Sequence, residues 1–488
     1  MFEFHKHVSF ILIAILMLTA SAQNLTDNDI KLAIKADMLF DEMVDSDDID
    51  IRVDNGIVTL SGQAESLLEY ERAIDIAQGI KGVRSVVNNI ALEVEFVSDE
   101  ELEKRVRNSL IANPATDQFN IDIFVDDGVV RLLGQTDSWA EKEIATNVVR
   151  NIAGVVAVKN DLTFMPEENR PDSDIKADII NKLDYDIFIE PEYIDIAVND
   201  GIVTMTGTLG SRAEKDRAEK NAYVAGVKKV DTEGIKVEHA LDIEAMKNTK
   251  KVATRDMKDV EDALETAIRY DPRVYPHDID VEVREYTATL EGKVNSVQAA
   301  MAAEEDAINT LGVYAVENNI EIVPETNIDE NQIKKYTQNA ILWNPELEIS
   351  DVNIIVNDNT VELHGRVEHR NHKKIANDIA SNIVGVKEVV NNIQIEQNWE
   401  PKADSEIKDD IKADMFWNIN LNASQIEVEV DEGIVHLDGC VESKTELSEA
   451  IKSAYEGGAK EVYSDITIDN CPIDYNPAAW DYRGIIYY

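Results

Sequence analysis

From Ile194 the chain alternates: Ile194, Ile196 and Val198 are apolar between polar neighbours, Asn199-Asp200-Gly201 interrupts the run, and alternation resumes through Val203 and Met205 to Gly207. Period-two patterning on both sides of a turn tripeptide predicts a β-hairpin with one buried face. The pattern recurs at Ile49 to Gly62, Ile121 to Gly134, Ile279 to Gly292, Val352 to Gly365 and Ile426 to Gly439. A hairpin cannot bury its apolar face alone, so each copy should lie in a small module that supplies a cover.

The cover is also legible. A helical stripe precedes each hairpin: Ile30, Ile34 and Met38 follow Asp27, which can cap the helix, and Ile407, Ile411 and Met415 follow Asp404. Ile30 to Met38 and Ile407 to Met415 are nearly identical, which indicates duplication. A second helix follows each hairpin, opening at Ser138-Trp139-Ala140-Glu141-Lys142 in module two and Ser211-Arg212-Ala213-Glu214-Lys215 in module three. It carries Ala73, Ala145, Ala218, Ala303 and Ala376 and stops at Gly82, Gly154, Gly226, Gly312, Gly385 or Gly458, a residue suited to the left-handed end of a helix. A third strand follows, as at Val86 to Ile90 and Val389 to Ile393. The expected fold is α+β, a tandem repeat of six α-β-β-α-β modules, each a three-stranded sheet packed on two helices.

The hairpin glycines Gly62, Gly134, Gly207, Gly292, Gly365 and Gly439 recur every 72 to 74 residues, apart from one interval of 85 between Gly207 and Gly292. The surplus lies at 241–255, where Lys247, Lys250, Lys251 and Arg255 form a basic patch, and is expected to link two groups of three modules. The boundaries are expected at 26–94, 97–165 and 171–240, then 256–324, 327–397 and 402–469. Residues 1–22 form an export signal and 470–488 a tail. Module four diverges: Tyr286 replaces the turn glycine, so its turn must differ or be strained. Module five has Asn359 there, which tolerates the left-handed conformation.

Across 488 residues the formal charge is −49. Such a chain repels phosphate, which counts against nucleic acid and against simple docking on anionic lipid. Val8 to Leu18 is an apolar run before Ala20-Ser21-Ala22, the pattern of a cleaved signal, with an uncleaved anchor helix as the alternative. Export makes Cys440 and Cys471, both in module six or just after it, candidates for a disulfide, the alternative being two unpaired thiols. The tail concentrates Tyr475, Trp480, Tyr482, Tyr487 and Tyr488; Trp480, Tyr482, Tyr487 and Tyr488 are candidates for docking a partner, or the tail folds back on module six.

The hairpin text I-x-V-x-x-G-x-V-x-L-x-G, then a helix, then G-V-x-x-V-x-N-x-I, resembles the BON domain, named for bacterial osmotically inducible and nodulation proteins. Module one carries it at Ile51, Val53, Gly56, Val58, Leu60, Gly62, Gly82, Val83, Val86, Asn88 and Ile90, and module two at Ile123, Val125, Gly128, Val130, Leu132 and Gly134. The other signature glycines are Gly201, Gly207, Gly292, Gly365, Gly433 and Gly439. The resemblance implies an exported, usually periplasmic, non-enzymatic module associated with phospholipid surfaces and envelope stress; an extracellular location is the alternative. At this charge a lipid role would need divalent cations, an apolar patch or a local basic one.

Little remains for catalysis. His364, His369 and His372 cluster, but no cysteine or firmly placed carboxylate completes a metal site. Asp45 to Asp50 lacks the glycine and terminal glutamate of a calcium loop. No phosphate-binding glycine loop, nucleophile elbow or Cys-x-x-Cys is present. The paired asparagines Asn88-Asn89, Asn318-Asn319 and Asn391-Asn392 read as polar positions beside the third strand. No catalytic, cofactor or metal residues are expected. The expected role is a non-catalytic envelope protein that binds or scaffolds by multivalency, with envelope proteins or a phospholipid surface as partners. The alternatives are phospholipid binding under osmotic stress and a salt-adapted, cation-binding extracellular component.

Overall fold

In a computed structural model the described residues are 26–468, apart from 42, 117–120, 137–138, 165–169, 190, 239–255, 272, 275–278, 325–327, 348–350, 368 and 396–401. The expected export signal, the expected linker at 241–255, Cys471 and the C-terminal stretch 470–488 lie outside them. Six separate three-stranded sheets are present. In each, the first two strands pair antiparallel and the third joins parallel to the second, as for Ile49–Asp54, Ile57–Ala64 and Ser85–Leu92 in module one. First helices span Asp27–Phe40, Asp99–Ala112, Asp172–Asp184, Met257–Arg269, Glu330–Trp343 and Asp404–Trp417. Second helices span Leu67–Gln78, Trp139–Arg150, Arg212–Asn221, Val297–Ile308, Arg370–Ser381 and Lys444–Glu456. The α-β-β-α-β order and the six modules are as the sequence predicts.

Local chemistry explains each module. Its hairpin turn has two consecutive positive-φ residues, such as Asn55 and Gly56. A carboxylate from the first helix holds that turn: Asp27, Asp99, Asp172 and Asp404 each accept two turn N–H groups. Asp27 therefore secures the hairpin, while Thr26 caps the helix. Module four keeps the same turn, with Glu285 at φ 47° and Tyr286 at φ 64°. The turn is thus strained rather than altered, and Tyr286 stacks on Tyr314 at 4.7 Å. Gly62 is the position that tolerates no side chain: at φ 133°, an added Cβ would lie 1.9 Å from the Asp48 carbonyl oxygen.

The alanines of the second helix, Ala73, Ala145, Ala218, Ala303, Ala376 and Ala450, are fully buried where it meets the sheet. The asparagines of the third strand do more than border it. Asn160, Asn318 and Asn391 each donate to a carbonyl of the second helix, Lys142, Ala300 and Lys373 respectively. Their Oδ1 atoms accept from the strand N–H two residues on. The asparagine is a latch between helix and strand.

The modules are not beads on a string. In five of the six modules the residue at the end of the first helix enters the core of another module. Trp417 of module six is 6% exposed within the core of module one, and Trp343 of module five lies in the core of module two. Ala112 of module two reciprocates in the core of module five, while Tyr185 and Tyr270 exchange between modules three and four. A backbone hydrogen bond accompanies the knob: Lys81 N donates to Trp417 O, Ala153 N to Trp343 O, Val384 N to Ala112 O and Leu311 N to Tyr185 O. In each case the donor directly precedes a positive-φ glycine, Gly82, Gly154, Gly385 or Gly312, which stands four residues past the end of a second helix rather than at the end itself, where the sequence pattern places it. The chain therefore pairs module one with six, two with five and three with four.

A second set of contacts closes each group of three into a ring through the second helices. Leu67 of module one packs in the core of module two, and Trp139 of module two stacks on Tyr223 of module three at 3.9 Å. The second helices of modules three and one then touch. In the other group, Val297 packs on the core of module five, Arg370 lies over the Tyr455 ring at 3.9 Å, and Lys444 and Thr445 reach Glu304 and Asn309 of module four. Two rings of three, joined by three pairwise contacts, form the arrangement of a D3 hexamer within one chain. The helices meet one another, and the free face of each sheet is left to solvent, as at Asp50, Arg52 and Asp54.

Candidate functional site

The three pairwise seams share one device and differ in what fills them. Within two residues of the end of each first helix stands Asp41, Asn113, Asp186, Asp271, Asn344 or Asn418, whose Oδ1 accepts the N–H two residues on. This small turn aims the knob at its partner. In most modules the second side-chain atom is also engaged. Asp41 pairs with Arg72, Asp186 with Arg217 and Asn221, Asp271 with Arg273, and Asn418 donates to Glu449.

Modules two and five lack that engagement. The positions matching Arg72 are Ile144 and Ile375, which offer no polar atom. The side-chain amides of Asn113 and Asn344, 6% and 1% exposed, therefore donate to no other group among the described residues. Both border a cavity of about 320 Å³ between the two modules. The cavity exists because Ala112 stands where the other first helices end in Phe40, Tyr185, Tyr270, Trp343 or Trp417. Its lining follows the twofold relation: Asn108 with Asn339, Asn113 with Asn344, Asn151 with Asn382, Val148 with Ile379 and Ile152 with Ile383. Trp343 and Tyr336 supply an aromatic wall, and the one carboxylate of the lining, Asp378, is paired with Lys374 at 2.6 Å.

The other seams are charged. Between modules one and six, Asp37, Asp414 and Glu456 face Lys452 and Arg72. Burial pushes both aspartates up, the neighbouring carboxylates push Asp37 further, and burial lifts Glu456 to about 7. Glu346 of module five lies against Ser66, and burial together with Glu69 raises it to about 7. Between modules three and four, Tyr270 Oη donates to Asp178, which Arg170 also holds at 2.7 Å. Burial and the adjacent Asp271 raise Asp306 there.

The residues singled out from sequence are not brought together. Gly56, Gly128, Gly201 and Gly433 occupy hairpin turns, and Gly62, Gly134, Gly207, Gly292, Gly365 and Gly439 sit on second strands, all at positive φ. Cys440 lies on the second strand of module six, Ile434–Val441. Its candidate partner Cys471, and Trp480, Tyr482, Tyr487 and Tyr488, fall outside the described residues. His364 approaches Glu362, and the His369 and His372 rings meet edge to face at 5.0 Å. Among the described residues no group of three or more His, Cys, Asp or Glu side chains could hold a metal ion. The sequence signal for the seam was the bulky residue followed by Asp or Asn at each first-helix end, and its single exception, Ala112-Asn113.

The fold and its seams define a class: a multi-domain α+β repeat protein with ligand-sized space between domains. The BON domain family matches at residues 26–93, 98–166, 171–238, 256–324, 329–397 and 403–470, and the chain belongs to that family with six copies. It is 30% identical over 143 residues to osmotically-inducible protein Y of Escherichia coli (strain K12), covering 28% of this chain and 71% of that protein. It is 31% identical over 106 residues to a 21 kDa hemolysin of Actinobacillus pleuropneumoniae, covering 21% of this chain and 54% of that one. A solved structure of CdsD, a structural protein of the type III secretion system of Chlamydia trachomatis, aligns over 45% of this chain and 97% of that chain, at 13% identity and a TM-score of 0.13. Among the described residues no helix is long and apolar enough to cross a membrane.

Proposed function

We propose that this six-domain BON protein, related to osmotically inducible proteins, is an exported, non-catalytic scaffold of the envelope that gathers partners on its outward sheet faces. The carrying observation is that the contacts between modules run through helices and helix ends, leaving six similar sheet faces in solvent at fixed spacing. Weak contacts repeated at fixed spacing add avidity without a strong single site. Two of these faces present large exposed aromatics, Phe124 at 56% and Tyr463 at 54% exposed, as anchors among polar residues.

The test is retention of envelope proteins on the immobilised full chain, compared with a chain carrying Phe124→Asp and Tyr463→Asp. Envelope proteins held by the first and released by the second support the scaffold. Equal retention on both overturns it. The association with phospholipid surfaces that the BON resemblance implies supports a second reading, a phospholipid-surface binder bridged by divalent cations. Co-sedimentation with anionic vesicles only when calcium is present would support that reading, and absence of binding with and without calcium would remove it.

A further inference from the structure

We infer that the cavity between modules two and five is a binding site for one uncharged polyhydroxylated molecule of monosaccharide to disaccharide size. Three observations carry this. First, the site holds unspent hydrogen-bonding capacity. The amides of the buried Asn113 and Asn344 donate to nothing else among the described residues, and the side chains of Asn108, Asn339 and Asn382 make no hydrogen bond there either. Neither nitrogen is among the fully buried unpartnered atoms, so both meet the open space of the cavity and stand ready to donate to an occupant that accepts. Asn113 and Asn344 offer donors, their Oδ1 atoms being held by the turn, while Asn108, Asn339 and Asn382 offer a donor and an acceptor each, a mixture that matches hydroxyls.

Second, the walls between the amides are hydrocarbon and aromatic: Val148, Ile152, Ile375, Ile379, Ile383 and the Trp343 indole. Such walls suit the C–H faces of a ring. A plain alkyl chain would cover the walls but leave the amides unmatched, and so would bind less well. Third, charge is neutralised at the site. Asp378 is held by Lys374, and no unpaired cation borders the cavity to receive an anion on a chain of formal charge −49. The volume, about 320 Å³, lies at the lower end of the range of small-molecule pockets.

The contrast with the other seams is internal to the chain. Where Arg72, Arg217 or Glu449 reaches the matching residue, that side chain is engaged by protein on both of its terminal atoms. Modules two and five have lost both that partner, through Ile144 and Ile375, and one aromatic knob, through Ala112. Two independent losses at one seam leave the amides and the space together.

The experiment is calorimetric titration of the full chain with glucose, trehalose, glucuronate and a short alkyl glycol. Two variants follow. The double change Asn113→Asp and Asn344→Asp keeps the acceptor of each turn, as Asp41 and Asp186 show, and removes only the donors. Ala112→Phe restores the knob found in other modules and fills the space. Saturable binding of a neutral sugar at one per chain, weakened at least about tenfold by the aspartate pair and abolished by Ala112→Phe, supports the assignment. Should Ala112→Phe fail to fold, the aspartate pair alone decides. Absence of saturable sugar binding, preference for glucuronate or the glycol, a stoichiometry above one, or binding indifferent to the variants would each overturn it.

Discussion

Trp417→Ala separates a closed ring pair from a string of independent modules. The side chain belongs to module six, yet it is 6% exposed inside the core built by Ile34, Met38 and Leu60 of module one. Burying an indole removes roughly 150–250 Å² from water, worth about 4 kcal/mol at 25 cal/mol/Å², in line with the 3–5 kcal/mol seen for aromatic truncation in cores. The hydrogen bond from Lys81 N to the Trp417 carbonyl survives the substitution, so the loss isolates the side chain. A module of about 70 residues holds on the order of 5 kcal/mol, so module one would open far more often.

The assay is hydrogen exchange resolved by module, with circular dichroism to confirm that the chain remains folded. At 1.4 kcal/mol per tenfold, the amides around Ile34, Met38 and Leu60 should exchange roughly 1,000 times faster, although the substitution lies far away along the chain. Loss of protection confined to residues 404–468, with module one unchanged, would refute the pairing.

Further outcomes follow from the seams and turns. Glu346 and Glu456, ordinarily near 4.5, are each raised to about 7, so the folded state holds protons that the unfolded state has released between those values. Stability should therefore fall as pH rises from about 4.5 to 7 and stay low above; each group contributes about 1–2 kcal/mol after allowance for its partial exposure, and Glu346→Gln should flatten the urea-midpoint profile by about one such share. Gly62→Ala should cost more than about 3 kcal/mol by thermal melting, because its Cβ would meet the Asp48 carbonyl oxygen at 1.9 Å. If Cys440 and Cys471 are bridged, the unfolded, unreduced chain titrates with no thiols, and reduction lowers stability by about 3–4 kcal/mol; two titratable thiols would refute the bridge.

The hairpins, their glycines and the alanine stripe were legible because each module writes its own core in a fixed period. The seams were not, for a physical reason. Trp343 and Trp417 fall at the end of a helical stripe, where an apolar residue reads as more of its own core, and nothing local says that the socket lies in another module. The same blindness hid the carboxylates. Asp37 and Asp414 stand among many acidic residues and read as solvated surface until the fold presses them together. The paired asparagines read as border residues, because a latch to a helix carbonyl some eighteen residues away leaves no mark in spacing. Module four shows the reverse: Tyr286 advertised a broken turn, yet the backbone keeps the turn and bears the strain.

Duplication explains why one device recurs at every seam, and divergence explains why the seams no longer match. A D3 arrangement of identical subunits would have three identical twofold contacts. Within one chain each contact can drift separately, provided that the knobs and the carbonyl hydrogen bonds still close the rings. One seam has become acidic at Asp37, Asp414 and Glu456, and another has built a tyrosine, arginine and aspartate cluster at Tyr270, Arg170 and Asp178. The third has traded an aromatic for Ala112 and a charge for Ile144 and Ile375. A seam that gives up packing at one end of a pair must recover stability elsewhere, and Trp343, with its 2.7 Å carbonyl contact to Ala153 N, anchors the other end. That asymmetry lets a closed scaffold carry an open site without loosening the rings.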